Sequence, residues 1–170
     1  MLSSENNFTE NSDQYNWLQF DLQSIDRSKT PWVIVTMHRP MYSSSKTGST
    51  RLSDLIKKNL ETLLLKHKVN FFFNGHVHFY ERTCAINNSS CNDVKNFNDN
   101  WGINYFTVGS GGKLNKEKIP IHPEWSKKIL FLNGIGKMDF INKTHASWKF
   151  IASKNEAILD EVLFVAPEIE

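Results

Sequence analysis

The sequence predicts an α/β fold in which a strand–helix–strand crossover is followed by antiparallel strands. Three observations carry this. Two apolar runs, Trp32-Val33-Ile34-Val35-Thr36-Met37 and Val69-Asn70-Phe71-Phe72-Phe73, have the β-branched and aromatic make-up of buried strands. Between them, residues 51–67 place Leu52, Leu55, Ile56, Leu60, Leu63 and Leu64 on one helical stripe, with Lys57, Lys58 and Glu61 largely opposite. From about Trp101 onward, short alternating segments are separated by the turn residues Asn133-Gly134 and Ser153-Lys154-Asn155.

Taken in order, residues 1–12 are polar and read as extended chain. Ser12 or Asp13 caps a first helix, in which Trp17, Leu18, Leu22 and Ile25 recur at helical spacing to about Asp26. Pro31 ends it and opens the first strand, with His38 at its C-terminal end. The Ser- and Gly-rich loop after Tyr42 leads to the second helix, and Gly75 ends the second strand. Residues 81–93 read as a polar loop. Tyr105–Val108 is a strand followed by a turn at Gly109–Gly112. Residues 113–127 are irregular and basic, with Lys116-Glu117-Lys118 as solvated loop. Segments 129–132, 137–141, 146–151 and 157–165 close the chain as antiparallel sheet. The crossover makes the first two strands parallel, so their C-terminal ends share one sheet edge. His38, His76 and His78 then meet where open α/β sheets place their ligands.

A chain of 170 residues supports one ordinary domain, or a small one and part of another. Its net charge of +2 is too small to argue for nucleic acid or an anionic membrane. No stretch approaches a membrane span, and the residues after Met1 lack the apolar core of a signal peptide. Cys84 and Cys91 form either a local disulfide or two neighbouring thiols. The sequons at Asn7, Asn87, Asn88 and Asn142 favour the disulfide and an oxidising, secretory setting. A secretory interior behind an N-terminus without an address suggests a chain that has lost its true beginning.

The chemistry concentrates in Asn70-Phe71-Phe72-Phe73-Asn74-Gly75-His76-Val77-His78. A His-x-His step in extended chain sends both imidazoles to one face. Imidazole suits zinc, iron, nickel or copper. Gly75 is expected to let the backbone turn towards the site. The alternative is two structural histidines bonded to backbone; His38 at the end of the neighbouring strand favours a metal. His67 reads as a cation suited to a helix C-terminus, and His122 and His145 as surface residues. Arg51, Asp54 and Arg82 read as ordinary charged residues.

These residues resemble the purple acid phosphatase family. Val35-Thr36-Met37-His38, followed by Arg39-Pro40-Met41-Tyr42, is similar to its Val-x-x-His motif. Gly75-His76-Val77-His78, continued by Phe79-Tyr80-Glu81-Arg82-Thr83-Cys84, is similar to its Gly-His-x-His motif. Gln14–Leu18, Ile25–Trp32 and the tail from Gly134 to Glu161 also resemble that family, so the likeness runs along nearly the whole chain. It implies the C-terminal half of a four-layer α/β/β/α metallophosphoesterase sandwich. Residues 1–100 would be the C-terminal part of the catalytic domain and residues 101–170 the family's C-terminal segment. It also implies Fe(III) paired with a divalent iron, zinc or manganese. His38 and His76 would bind the divalent ion, and His78 the ferric one. The resemblance further implies hydrolysis of phosphate monoesters at acid pH by a hydroxide that both metals activate. The setting that the resemblance implies is secreted or lysosomal.

The chain departs from the family in its missing motifs and in the loop after Tyr42, which contains no histidine where some family members place substrate-contacting ones. No Gly-Asp-x-Gly, Gly-Asp-x-x-Tyr or Gly-Asn-His occurs in it, so the family's aspartates, tyrosine and asparagine–histidine pair are not supplied. The expectation is a fragment that by itself is poorly folded or associates and turns over little substrate. Its partners would be a phosphate ester and either a second copy or the missing N-terminal half. The competing expectation is a non-catalytic remnant or binding module that keeps the scaffold.

Overall fold

The computed structural model describes residues 1–46, 50–92, 101–114 and 122–166. In chain order the elements are α1 (Asp13–Gln23), β1 (Ile34–Thr36), α2 (Arg51–Lys66), β2 (Phe71–Asn74), β3 (Tyr80–Asn87), β4 (Ser90–Asn92), β5 (Ile103–Val108), β6 (Ser126–Leu130), β7 (Gly134–Phe140), β8 (His145–Ala152) and β9 (Ile158–Val165). Ser12 caps α1, its hydroxyl accepting from Tyr15 N at 3.3 Å. The helix ends at Gln23, three residues before the expected Asp26. Thr50 and Ser53 form the capping box of α2.

The larger sheet runs β1-β2-β5-β3-β4, with β6 also on β3. β1, β2 and β5 are parallel, with Thr36 opposite Phe73 and Phe73 opposite Phe106. β3 runs antiparallel to β5, β6 and β4. β7, β8 and β9 form a second, antiparallel sheet. One core lies between the helices and the larger sheet, built on Leu18, Leu22, Ile56, Leu60, Leu64, Phe72 and Tyr105. Another lies between the two sheets, where Phe71, Tyr80, Phe106, Trp148, Phe150 and Phe164 meet. Helices, larger sheet and smaller sheet are thus three successive layers.

The segment read as a polar loop, residues 81–93, is largely strand. β3 pairs with three neighbours, and β4 returns from it through Asn88 (φ 47°) and Ser89 (φ 66°), both left-handed as a tight hairpin turn needs. The polar residues that hid β3 are partnered inside the protein. Arg82, read as an ordinary surface charge, donates from Nε and Nη2 to Asp160 of β9 at 2.7 and 2.9 Å. Tyr80 donates to the same carboxylate at 2.5 Å, and Trp148 Nε1 donates to the Tyr80 hydroxyl at 2.8 Å. This network joins the two sheets immediately after the histidine motif.

The N-terminal segment runs beside the edge of β1. Leu2 N donates to Thr36 O at 2.7 Å, and Leu2, Ser4 and Phe8 are buried. That course brings Glu5 next to Arg39.

Candidate metal centre

β1 and β2 deliver His38 and His76 to the same edge of the sheet. Their ends are tied by Gly75 N donating to His38 O at 3.1 Å. The tight turn itself is centred one residue beyond the expected position. No glycine in the described residues has positive φ, whereas His76 has φ 64°. Val77 N donates to Gly75 O at 2.7 Å and Phe79 N to Val77 O at 2.9 Å, so two short turns follow each other. Val77 and Phe79 face inward and are buried, while His76 and His78 are half-buried on the other side. A β-carbon on Gly75 would meet nothing within 4 Å.

A left-handed non-glycine residue costs on the order of 1–3 kcal/mol and persists only where its surroundings hold it. Gly109, just after β5, is part of that hold. Its N–H donates to Phe79 O at 3.2 Å, and a β-carbon there would overlap the Val77 carbonyl. The sequence marked Gly109 only as a turn residue.

His76 Nδ1 lies 3.3 Å from His38 Nε2, the rings meeting edge to face. Burial, then the Arg39 and His38 charges, hold the His76 pKa below its ordinary 6.5, which favours the neutral ligand form. Two nitrogens on one tetrahedral ion at about 2.05 Å stand about 3.3–3.4 Å apart. The His38–His76 pair therefore fits a shared ion. His78 forms no hydrogen bond with that pair, and the described residues contain no group of three or more His, Cys, Asp or Glu able to hold a metal. The described residues bring two imidazoles together, with His78 following in the same turn, and do not by themselves close a site.

Three carboxylates and a loop surround this edge. Arg39 donates from Nε to Glu5 Oε1 at 2.8 Å, and its Nη1 is 3.3 Å from His76 Nε2. After His38 the chain is pinned through buried Tyr42, whose hydroxyl donates to Glu61 at 2.5 Å and accepts from Ser89 N at 3.1 Å. Glu81, also buried, accepts from Ser44 N at 3.0 Å, from the Ser44 hydroxyl, and from Ser126 at 2.6 Å. Burial raises the Glu81 pKa against the pull of those donors. Glu81 escaped sequence reasoning, and only its place three residues beyond His78 hinted at it.

The remaining sequence candidates lie away from this edge. Cys84 and Cys91 are joined by a disulfide across β3 and β4, with Cα atoms 5.8 Å apart. Asn7 and Asn142 are exposed, and each side-chain oxygen accepts from the N–H and hydroxyl of the threonine two residues on. Asn88 is exposed at the hairpin tip, whereas Asn87 spends its amide on Trp101 O at 2.8 Å. His67 is the C-cap of α2, and burial lowers its pKa from the ordinary 6.5. The hydroxyl of Thr144 is 2.8 Å from His145 Nδ1, and His122 is exposed. The Lys116-Glu117-Lys118 run lies outside the described residues.

The fold is mixed α/β, its parallel strands deliver two histidines to one sheet edge, and residues 2–80 match the family described as Calcineurin-like phosphoesterase. Residues 102–161 match the family described as Iron/zinc purple acid phosphatase-like protein C. The chain belongs to the purple acid phosphatase family of calcineurin-like metallophosphoesterases. Purple acid phosphatase 18 of Arabidopsis thaliana is 38% identical over 87% of this chain and 33% of its own length. Probable inactive purple acid phosphatase 9 of the same plant is 32% identical over 97% of this chain and 26% of its own length. The purple acid phosphatase PPD1 of yellow lupin superposes with a TM-score of 0.87 at 29% identity, over 96% of this chain and 30% of the lupin chain. The chain spans about a third of the length of the curated relatives it matches.

Proposed function

We propose that this chain supplies the histidine side of a two-metal acid phosphatase centre. The observation that carries the reading is the 3.3 Å approach of His76 Nδ1 to His38 Nε2 at the ends of adjacent parallel strands. His38 and His76 would hold a divalent iron, zinc or manganese, and His78 a ferric ion. When bound, such a metal pair supplies the Lewis acidity that activates water and polarises a phosphate ester. The chain's own residues orient and shield the site. Gly109 and Phe79 hold the left-handed turn at His76, Tyr42 and Glu81 fix the loop after His38, and Val77 seals the turn from below. The bridging carboxylate would come from the polypeptide that in relatives precedes this segment. Residues 1–100 would complete the catalytic domain, with residues 101–170 as its C-terminal segment. The disulfide and the exposed sequons at Asn7, Asn88 and Asn142 support a secreted setting.

A chimaera tests this. The chain replaces the corresponding third of the 38%-identical relative, and the metal-loaded product is assayed on a phosphate monoester at acid pH. Hydrolysis is expected, together with a loss of about a hundredfold or more on His38→Ala, His76→Ala or His78→Ala. The second reading is a non-catalytic scaffold, favoured by the incomplete ligand set among the described residues. A folded, metal-replete chimaera that turns over no ester establishes that second reading and refutes the first.

A further inference from the structure

The contact between Arg39 and His76 fixes a proton. Arginine carries only donors, so the 3.3 Å approach of Arg39 Nη1 makes His76 Nε2 an acceptor. A neutral imidazole has one N–H, and that proton then lies on Nδ1. Nδ1 is the nitrogen that faces His38 Nε2 at 3.3 Å, and it donates there. For a shared ion this is the wrong tautomer, because the nitrogen beside His38 carries a proton instead of a free lone pair. Coordination through Nδ1 needs the proton on Nε2, where Arg39 now donates. Two donors cannot face each other, so ion binding and the Arg39–His76 bond exclude one another.

The surroundings offer Arg39 and His76 a second arrangement. Arg39 Nε already donates to Glu5 Oε1 at 2.8 Å, and the exposed Glu5 side chain stands on the N-terminal segment that Leu2 ties to Thr36 of β1. A carboxylate is the usual acceptor for the second N–H of a metal-bound histidine. We propose that Arg39 is a latch on the histidine pair, holding His76 in its Nδ1–H form and giving way to Glu5 when an ion binds between His38 and His76. This rests on the shared-ion reading above. The guanidinium charge also repels an incoming dication, so only an ion whose coordination outweighs the contact is admitted. Arg39 is a positioning residue here, acting on the ion through His76.

The test is nitrogen-15 NMR of the imidazoles in the 170-residue chain, with zinc titrated into it and into Arg39→Met. In the wild-type chain without metal, His76 is expected as the Nδ1–H tautomer, converting to Nε2–H as zinc binds. Arg39→Met is expected to populate Nε2–H without metal and to bind zinc about ten- to a hundredfold tighter, the worth of one lost charged hydrogen bond. An Nε2–H signal in the metal-free wild type overturns the latch without recourse to any variant. Equal zinc affinity in the two proteins overturns the latch and leaves the shared ion standing. No zinc binding by either protein overturns the latch in this chain, while the shared-ion reading stands or falls with the His38→Ala and His76→Ala chimaeras.

Discussion

Replacing Asp160 by alanine should unfold the junction between the two sheets. The Asp160 side chain is 8% exposed and that of Arg82 is 14% exposed. The carboxylate takes a bidentate pair from Arg82 at 2.7 and 2.9 Å and a third bond from Tyr80. Its removal strands a buried guanidinium and a buried hydroxyl, and breaking such a pair from one side costs about 3–5 kcal/mol. With a urea dependence of about 2 kcal/mol per molar, the unfolding midpoint should fall by about 1.5–2.5 M. Tryptophan fluorescence in urea reads it, Trp148 being part of the network. The double variant Asp160→Leu/Arg82→Met removes both charges and should recover most of the loss. A midpoint shift below about 0.5 M, or a double variant no better than the single, would refute the reasoning. Burial works against the Asp160 charge, yet the Arg82 and Tyr80 bonds outweigh it and hold the carboxyl below its ordinary 3.8. The stabilisation is therefore complete above about pH 3.8 and is lost as pH falls through the lower folded value.

Glu81, another buried acid, behaves in the opposite sense. Glu81 has its folded pKa raised above 4.5, so its contribution is present below that value and lost as pH rises through the folded one. Glu81→Gln should flatten this slope between pH 4.5 and neutrality in urea midpoints taken at several pH values; an unchanged slope contradicts it. Gly109→Ala forces a β-carbon onto the Val77 carbonyl and should cost about 1–3 kcal/mol in thermal unfolding, while shifting the His76 and His78 ring resonances; a silent substitution there is the adverse outcome. Reducing the Cys84–Cys91 bridge, which closes a short loop, should cost about 2–2.5 kcal/mol in urea with reductant. A Cys84→Ser/Cys91→Ser chain whose midpoint does not respond to reductant is the control, and an equal response in both proteins counts against it.

The crossover was legible because its signals are local. The leucine stripe of α2 and the apolar runs of β1 and β2 can each be read within a dozen residues. From these the meeting of His38 and His76 follows, since parallel strands must end on one edge. β3 was illegible for the converse reason. Its charged positions are satisfied by residues far away in sequence: Glu81 by Ser44 and Ser126, Arg82 by Asp160. Periodicity reports a residue's polarity, not whether a partner waits for it. The site shows the same divide. The glycine in Gly-His-x-His drew attention, yet the left-handed residue is His76, and the glycine that matters to the turn is Gly109 from another strand. The tautomer imposed by Arg39 depends on which ring nitrogen faces which neighbour, and no sequence pattern carries that.

The contacts also separate two expectations that the sequence had merged, poor folding and an incomplete site. The strained turn at His76 is held by Gly109, by Phe79 and, through Tyr80, by Asp160 and Trp148, all within this chain. None of those restraints depends on a carboxylate from elsewhere, so the histidine geometry should persist without the rest of the centre. One exposed apolar stretch lies at a different place. Ile34 on β1 is 39% exposed, and Trp17 and Phe20 on α1 are 49% and 73% exposed. Beyond the single bond from Leu2, β1 has no further strand on its outer side among the described residues. An open edge flanked by apolar side chains recruits another strand. Association of the chain should therefore proceed through β1 while the turn at His76 stays formed. Lysine in place of Ile34 should suppress self-association in sedimentation velocity and leave the His76 ring resonances unmoved. Loss of those resonances together with the oligomer would show that the turn depends on the neighbour after all.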